Sequence, residues 1–154
     1  MSDLSGSDPF WMKQAYDLAV IAGAQGEVPI GAVLVQDNNQ IIGRGWNQVV
    51  RTHDPTAHAE IVAIREASVS LQNYRLPNTT LYVTLEPCCM CAGALVHARI
   101  QRLVFATRDF KAGAAGSVYN VLQGYPLNHQ IQIDEGFLQH DCASLLGDFF
   151  KDRR

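Results

Sequence analysis

Apolar residues recur at helical spacing from residue 10 onward, with Phe10, Ala15, Leu18, Ala19 and Ala22 on one face. Asp8 followed by Pro9 is a helix start, an acceptor at the cap and a ring in the first turn. The pattern predicts a helix to about residue 23, ended by Pro29 and Gly31. A short apolar run over 32–35, the turn Asp37-Asn38-Asn39-Gln40 and a second run over 41–46 read as a β-hairpin. A polar loop with Asp54-Pro55 comes next, then a helix over about 57–70, capped by Thr56 and striped by Ile61, Ile64 and Ala67/Ser68. Residues 79–85 are rich in β-formers and read as a third strand. Pro87 opens a helix over 88–98, and 102–107 is a fourth strand. A Gly/Ala loop, a short helical piece over 118–122, a strand over 130–134 and a last helix over 137–151 complete the chain.

After the hairpin, strands and helices alternate. That order predicts an α/β domain with a partly parallel sheet and helices on both faces. Ligands of such sheets gather beyond the carboxyl ends of the strands. His58 and the pair Cys88/Cys91 stand at two helix starts expected at the same end of the sheet.

Length and composition narrow the class. The 154 residues suit one domain over 1–154, with 1–8 as a frayed leader. No apolar run reaches the roughly 18 residues of a membrane span, and the first eight residues lack the pattern of a secretory signal. The expectation is a cytoplasmic protein with no membrane partner. Disulfides are then disfavoured, and three of the four cysteines crowd into positions 88–91, which favours metal. Cys142 falls in an apolar helical pattern and reads as core. The formal net charge of −3 is the wrong sign for a protein that coats nucleic acid. Arg99, Arg102, Arg108 and Lys111 nevertheless cluster around one acid, Asp109, and the chain ends Lys151-Asp152-Arg153-Arg154. Each cluster is either a solvated face or a patch for a short piece of nucleic-acid backbone.

The chemistry sits in His58-Ala59-Glu60 and Pro87-Cys88-Cys89-Met90-Cys91. One imidazole and two thiols three positions apart make three zinc ligands, and a fourth position stays open for water, the layout of a catalytic site. The helix N-terminus lowers the thiol pKa values. Glu60, two residues beyond the histidine, serves as an acid/base on that water. Such a couple suits hydrolytic loss of ammonia from an amidine-like carbon. A structural zinc site would need a fourth ligand, for which His53, His97 and Cys142 are the candidates; Cys89 should point elsewhere.

These motifs resemble those of the zinc-dependent nucleobase deaminases of the cytidine/deoxycytidylate deaminase superfamily. Within it, the chain is similar to the bacterial tRNA-specific adenosine deaminases, from about Trp11 to Phe150. The strongest stretches are 28–35, 53–60, 81–94 and 113–117. The resemblance implies a three-layer α/β/α fold with a five-stranded mixed sheet, a homodimer, and one Zn2+ per subunit on His58, Cys88 and Cys91, with no organic cofactor. It implies that Glu60 shuttles protons while hydroxide attacks C6, turning the wobble adenosine of an arginine tRNA anticodon into inosine. It matches Asn47 to a purine contact, Val28, Pro29 and Ala59 to the base pocket, and Arg108, Asp109 and Lys111 to a loop reading the neighbouring nucleotides. Phe149 and Phe150 match the last helix near the anticodon, as stacking or core residues. A deaminase of free bases or nucleosides, of guanine or cytosine type, is the alternative built on the same zinc site. The end at Arg154 leaves no long basic tail for RNA.

Overall fold

A computed structural model describes residues 6–123 and 129–153. The elements run α1 (Asp8–Ala24), β1 (Gly31–Gln36), β2 (Gln40–Trp46), α2 (Val49–Thr52), α3 (Ala59–Leu71), β3 (Thr79–Leu85), α4 (Cys89–Ala98), β4 (Arg102–Thr107), β5 (Gln132–Glu135) and α5 (Gln139–Lys151). The five strands form one mixed sheet in the order β2-β1-β3-β4-β5. β1 runs antiparallel to both β2 and β3, whereas β3, β4 and β5 are mutually parallel.

Strand alternation distributes the core. Ala32, Leu34, Leu81, Val83, Leu103 and Phe105 point to one face and pack with Ala59, Ala63 and Ala67 of α3 and with Ala92, Leu95 and Ala98 of α4. The residues between them, Val33, Val35, Tyr82, Val104 and Ala106, point to the other face against Trp11, Met12 and Ala15 of α1 and Cys142 of α5. Both faces of β1, β3 and β4 are therefore dry, as period-two side chains require in a sheet covered twice. This is the expected α/β/α layering, and Cys142 is core as expected.

The alanine stripe lets α3 lie close to β2. Gly45 makes that approach possible, because a Cβ there would stand 2.7 Å from the Ala63 nitrogen and nearer still to the Ala59 carbonyl oxygen. The first turn of α3, which carries the candidate chemistry, is thus set against the sheet by backbone contact.

Several sequence expectations need correction. Ser7, not Asp8, caps α1, its Oγ accepting from the Phe10 N–H at 3.4 Å. Asp8 belongs to the helix and is no part of a frayed leader: its carboxylate takes a bidentate pair from Arg102 at 2.8 Å and a hydrogen bond from the Tyr82 hydroxyl at 2.6 Å. Residues 1–5 lie outside the described residues. Thr56 does not cap α3, because its N–H and hydroxyl both donate to Asp54 Oδ1 and His58 occupies the cap position. The polar loop before it holds the short α2. No helix forms over 118–122: the N–H groups of Val118 and Tyr119 turn back to the Gly113 carbonyl, and Asn120 bridges to Ala115. The last strand and last helix begin two residues later than expected, at Gln132 and Gln139. No helix among the described residues is long and apolar enough to cross a membrane.

Candidate metal centre and substrate cleft

His58 and Cys88 are the cap residues of α3 and α4, each with extended backbone, at φ −71°, ψ 155° and φ −75°, ψ 176°. A cap residue has left the helical spiral, so its side chain is free of the 100° rotation per residue. This resolves how His58 and Glu60 reach one place although i and i+2 diverge on an ideal helix. Neither His58 nor Cys88 uses its side chain to cap its own helix. Both side chains turn to a common point, where the positive ends of two helices meet.

The donor atoms fit a tetrahedral ion. His58 Nδ1 lies 3.6 Å from Cys88 Sγ and 3.5 Å from Cys91 Sγ. With Zn–S near 2.3 Å and Zn–N near 2.0–2.1 Å, a tetrahedral ion would separate nitrogen and sulfur by about 3.6 Å. The three donors lie within 4.8 Å of one another, and among the described residues they form the only such group. His53, His97 and Cys142 are not in it. His53 and His97 are exposed, and Cys142 packs on the opposite face of the sheet. Cys89 is exposed and also outside the group. His58 Nδ1, Cys88 Sγ and Cys91 Sγ would hold the ion, and three protein donors would leave it able to take a water.

Protonation follows from the crowding. The Cys88 thiol is pulled down to about 3 by hydrogen bonds from Cys91 and then His58. Cys91 is pushed up, first by its bond to the Cys88 sulfur and then by burial. His58 is raised, chiefly by its hydrogen bond to Cys88. A dication between them replaces these shared protons. Glu60 is buried, which pushes its carboxyl up to about 7 against the opposing pull of its own backbone N–H and of His58. Its carboxyl also meets the Cys91 thiol. A carboxyl in that range exchanges protons readily near neutrality.

A cleft of about 840 Å³ opens beside this centre. Its lining includes His58, Val28, Asn47, Arg108, Asp109 and Lys111 from the sequence expectations. Asn47 Oδ1 accepts the Ala59 N–H at 2.8 Å, capping α3 from a neighbouring strand end. Its Nδ2 group makes no hydrogen bond among the described residues and can serve the cleft. Ile30 and Leu85, from the matched stretches 28–35 and 81–94, and Arg153 of the basic end also line it, as do Phe110 and Leu146, to which no sequence motif assigned a role. Phe150 lines it and Phe149 does not. The Phe149 ring is covered by the Arg153 guanidinium at 3.6 Å. Pro29 is buried and faces Gly23 of α1, at the centre of a tight turn closed by the Ile30 N–H on the Val28 carbonyl at 2.8 Å. Ala59 is wholly buried and reaches the site through its backbone.

The wall formed by residues 108–117 hangs on Glu86, which sequence reasoning passed over. Its Oε1 accepts from the Asp109 N–H at 3.1 Å and from the Ser117 hydroxyl. Its Oε2 accepts from the N–H groups of Ala115 at 2.9 Å and Ser117 at 3.1 Å. Burial opposes its charge, but these bonds together hold its carboxyl below the ordinary value. Gly113 admits the carboxylate, since a Cβ there would stand 2.5 Å from Oε1. Glu27 does the same on the opposite wall, accepting from the N–H groups of Val50 and Arg51 at the start of α2. The one sequence clue was position: each acid directly precedes a site segment, Val28 or Pro87-Cys88.

The basic cluster is smaller than its charge count. Arg102 is spent on Asp8 and Asp134, and Arg108 on Glu135 at 2.6 Å and Ser117 at 3.2 Å. Lys111 and Arg153 have no ion pair among the described residues, and both line the cleft.

Residues 5–107 match the cytidine and deoxycytidylate deaminase zinc-binding region. The tRNA-specific adenosine deaminase of Haemophilus influenzae is 52% identical over 147 residues, covering 96% of this chain and 85% of that protein. That of Bacillus subtilis is 45% identical, covering 96% of this chain and 91% of that one. A structure from a study of A-to-I editing by tRNA:A34 deaminases at the wobble position superposes with a TM-score of 0.85 at 42% identity, over 89% of this chain and 99% of that one. The zinc-binding region and the sheet that holds it thus have their counterpart in known proteins, and this chain belongs to the family of the tRNA-specific adenosine deaminases.

Proposed function

We propose that the protein hydrolytically deaminates adenosine to inosine at the wobble position of a tRNA anticodon, in the cytoplasm, as a homodimeric single-domain enzyme with an arginine tRNA as substrate. The observation that carries the reading is the three-donor centre, with the buried Glu60 carboxyl against it and His58 lining an open cleft. His58, Cys88 and Cys91 would hold zinc, which supplies a water acidified from a pKa of 15.7 to about 7. Glu60 delivers a proton to ring N1, which makes C6 electrophilic. Water adds at C6 and returns one proton to the Glu60 carboxylate, which passes it to the exocyclic amine. As the C6–N bond breaks and ammonia leaves, the new C6 hydroxyl gives its proton back to Glu60 and becomes the carbonyl. One water enters and one ammonia departs, so Glu60 ends as it began.

Asn47 orients the purine through its free Nδ2, while its Oδ1 is committed to Ala59. Val28 and Leu85 supply the apolar sides that keep bulk water out. A single-stranded loop presents its base already unpaired, so little energy is lost in extruding it. Lys111 and Arg153 face the phosphates. The test is inosine formation on an anticodon stem-loop beside free adenine, guanine and cytidine, with zinc measured in the same sample. Turnover confined to the free compounds would replace this reading with the free-base alternative.

A further inference from the structure

We infer that Phe110 is a stacking platform for an unpaired base adjoining the deaminated one; this rests on the tRNA reading above and assigns the residue that grips a neighbouring nucleotide. Phe110 is 78% exposed, belongs to neither apolar cluster and lines the cleft. An apolar ring left in water forgoes the stabilisation that burial brings. It is also firmly mounted. Asp109 Oδ1 accepts from the N–H groups of Lys111 at 3.0 Å and Ala112 at 3.2 Å, which turns the chain around Phe110. Glu86 anchors the same turn from below through the Asp109 N–H. The backbone therefore holds the ring at the rim, and the ring itself contributes nothing to holding the backbone.

The surroundings select the occupant. Lys111 beside the ring and Arg153 in the same cleft have no ion pair among the described residues, which suits a polyanion. Phe150, 47% exposed, is a second ring lining the cleft. Cationic side chains interleaved with exposed rings are the arrangement that binds single strands, because every base has a face to stack while its phosphate meets a cation. A free purine or nucleoside has no adjoining base and cannot use the platform. Phe110 therefore favours a polynucleotide over a monomeric substrate.

The experiment compares wild type, Phe110→Ala and Phe110→Trp, each with full zinc, on an anticodon stem-loop. Two further stem-loops carry an abasic residue on the 5′ or the 3′ side of the target. Stacking of one base predicts that Phe110→Ala lowers kcat/KM about 5- to 150-fold on the intact loop, chiefly through KM, and that Phe110→Trp keeps most of it. On one of the two abasic loops the three proteins should be equal, since the base the ring would hold is gone. A Phe110→Ala variant within twofold of wild type on the intact loop overturns the platform. An undiminished Phe110→Ala defect on both abasic loops overturns it too. Failure of the wild type itself to deaminate the stem-loop would remove the tRNA reading and the platform together, whereas the first two results remove the platform alone.

Discussion

Gly45→Ala tests whether the fit of α3 to β2 sets the metal geometry. The added methyl would stand 2.7 Å from the Ala63 nitrogen, where ordinary contact starts at 3.4 Å. The obstructing atoms are helix backbone, so no flexible side chain can give way. The first turn of α3 must retreat by more than about 0.7 Å, because the Ala59 carbonyl oxygen stands nearer still, and overpacking of this kind costs about 1–3 kcal/mol. For a chain of this length that lowers Tm by about 2–12 °C. The same retreat carries His58 away from Cys88 and Cys91. Zinc sites tolerate deviations of about 0.2 Å in ligand distance, so affinity should fall by about 10- to 100-fold, as when a supporting partner is lost. The assay is zinc content after dialysis against graded chelator, beside thermal unfolding of the same sample. Gly147→Ala is the control: it lies in α5 with nothing within 4 Å of its added methyl, and should hold zinc normally and gain a few tenths to about 1 kcal/mol of helix stability. A Gly45→Ala protein with wild-type chelator resistance and unchanged Tm would refute the argument that backbone contact positions His58.

Glu60→Gln should keep zinc and fold but lose about 10²- to 10⁴-fold in kcat on the stem-loop, the span of general acid–base catalysis; unchanged turnover would end its assignment as proton carrier. Lys111→Ala should reduce the slope of log affinity against log salt by about 1, and Arg108→Ala, whose guanidinium is already paired with Glu135, should leave the slope near wild type. Equal slopes for wild type and Lys111→Ala would return Lys111 to the solvated surface. Asp8→Asn should lower Tm at pH 7. The Asp8 carboxyl is held below 3.8, mainly by its bond from Arg102, so its stabilisation is present above the unfolded value and lost as pH falls through the folded one. The Tm gap between wild type and variant should therefore narrow as pH falls below 3.8, and a gap independent of pH would refute the ion pair as its cause.

What could be read along the chain was what depends on near neighbours. The boundaries of β3 and β4 follow from uninterrupted β-formers, because both their faces are covered. The zinc donors were legible since a Cys-x-x-Cys at a helix start fixes its own geometry, and the partner histidine has the same local signature. The cleft walls were not, because distant groups make them. Arg102 counts as a free charge in sequence, and only the fold brings Asp8 and Asp134 to it. Glu86 has no motif, since its partners at 109–117 arrive from beyond the next strand. The apolar residues near 118–122 imitate a helix, but only Leu122 among Val118, Val121 and Leu122 is buried. The four residues of α2 are too few for any period to show, and their stabilising carboxylate, Glu27, lies before β1.

A single demand connects these observations. A helix start offers orphan N–H groups that a Ser, Thr, Asp or Asn at the cap position would ordinarily satisfy. At the starts of α3 and α4 those positions hold His58 and Cys88, whose side chains are turned to the metal. Cap duty must then come from elsewhere, and at α3 it comes from Asn47, which satisfies the Ala59 N–H with its oxygen and keeps its amide group toward the cleft. The same residue thereby ties one lining group of the cleft to the first turn of α3, between His58 and Glu60. Glu27 and Glu86 extend the logic, each a buried carboxylate: Glu27 satisfies first-turn N–H groups of α2, and Glu86 satisfies N–H groups of the loop over 109–117. The backbone donors around the cleft are bonded by side chains buried beneath it, which leaves the Lys111 and Phe110 side chains and the buried Asn47 amide group without partners among the described residues along its lining.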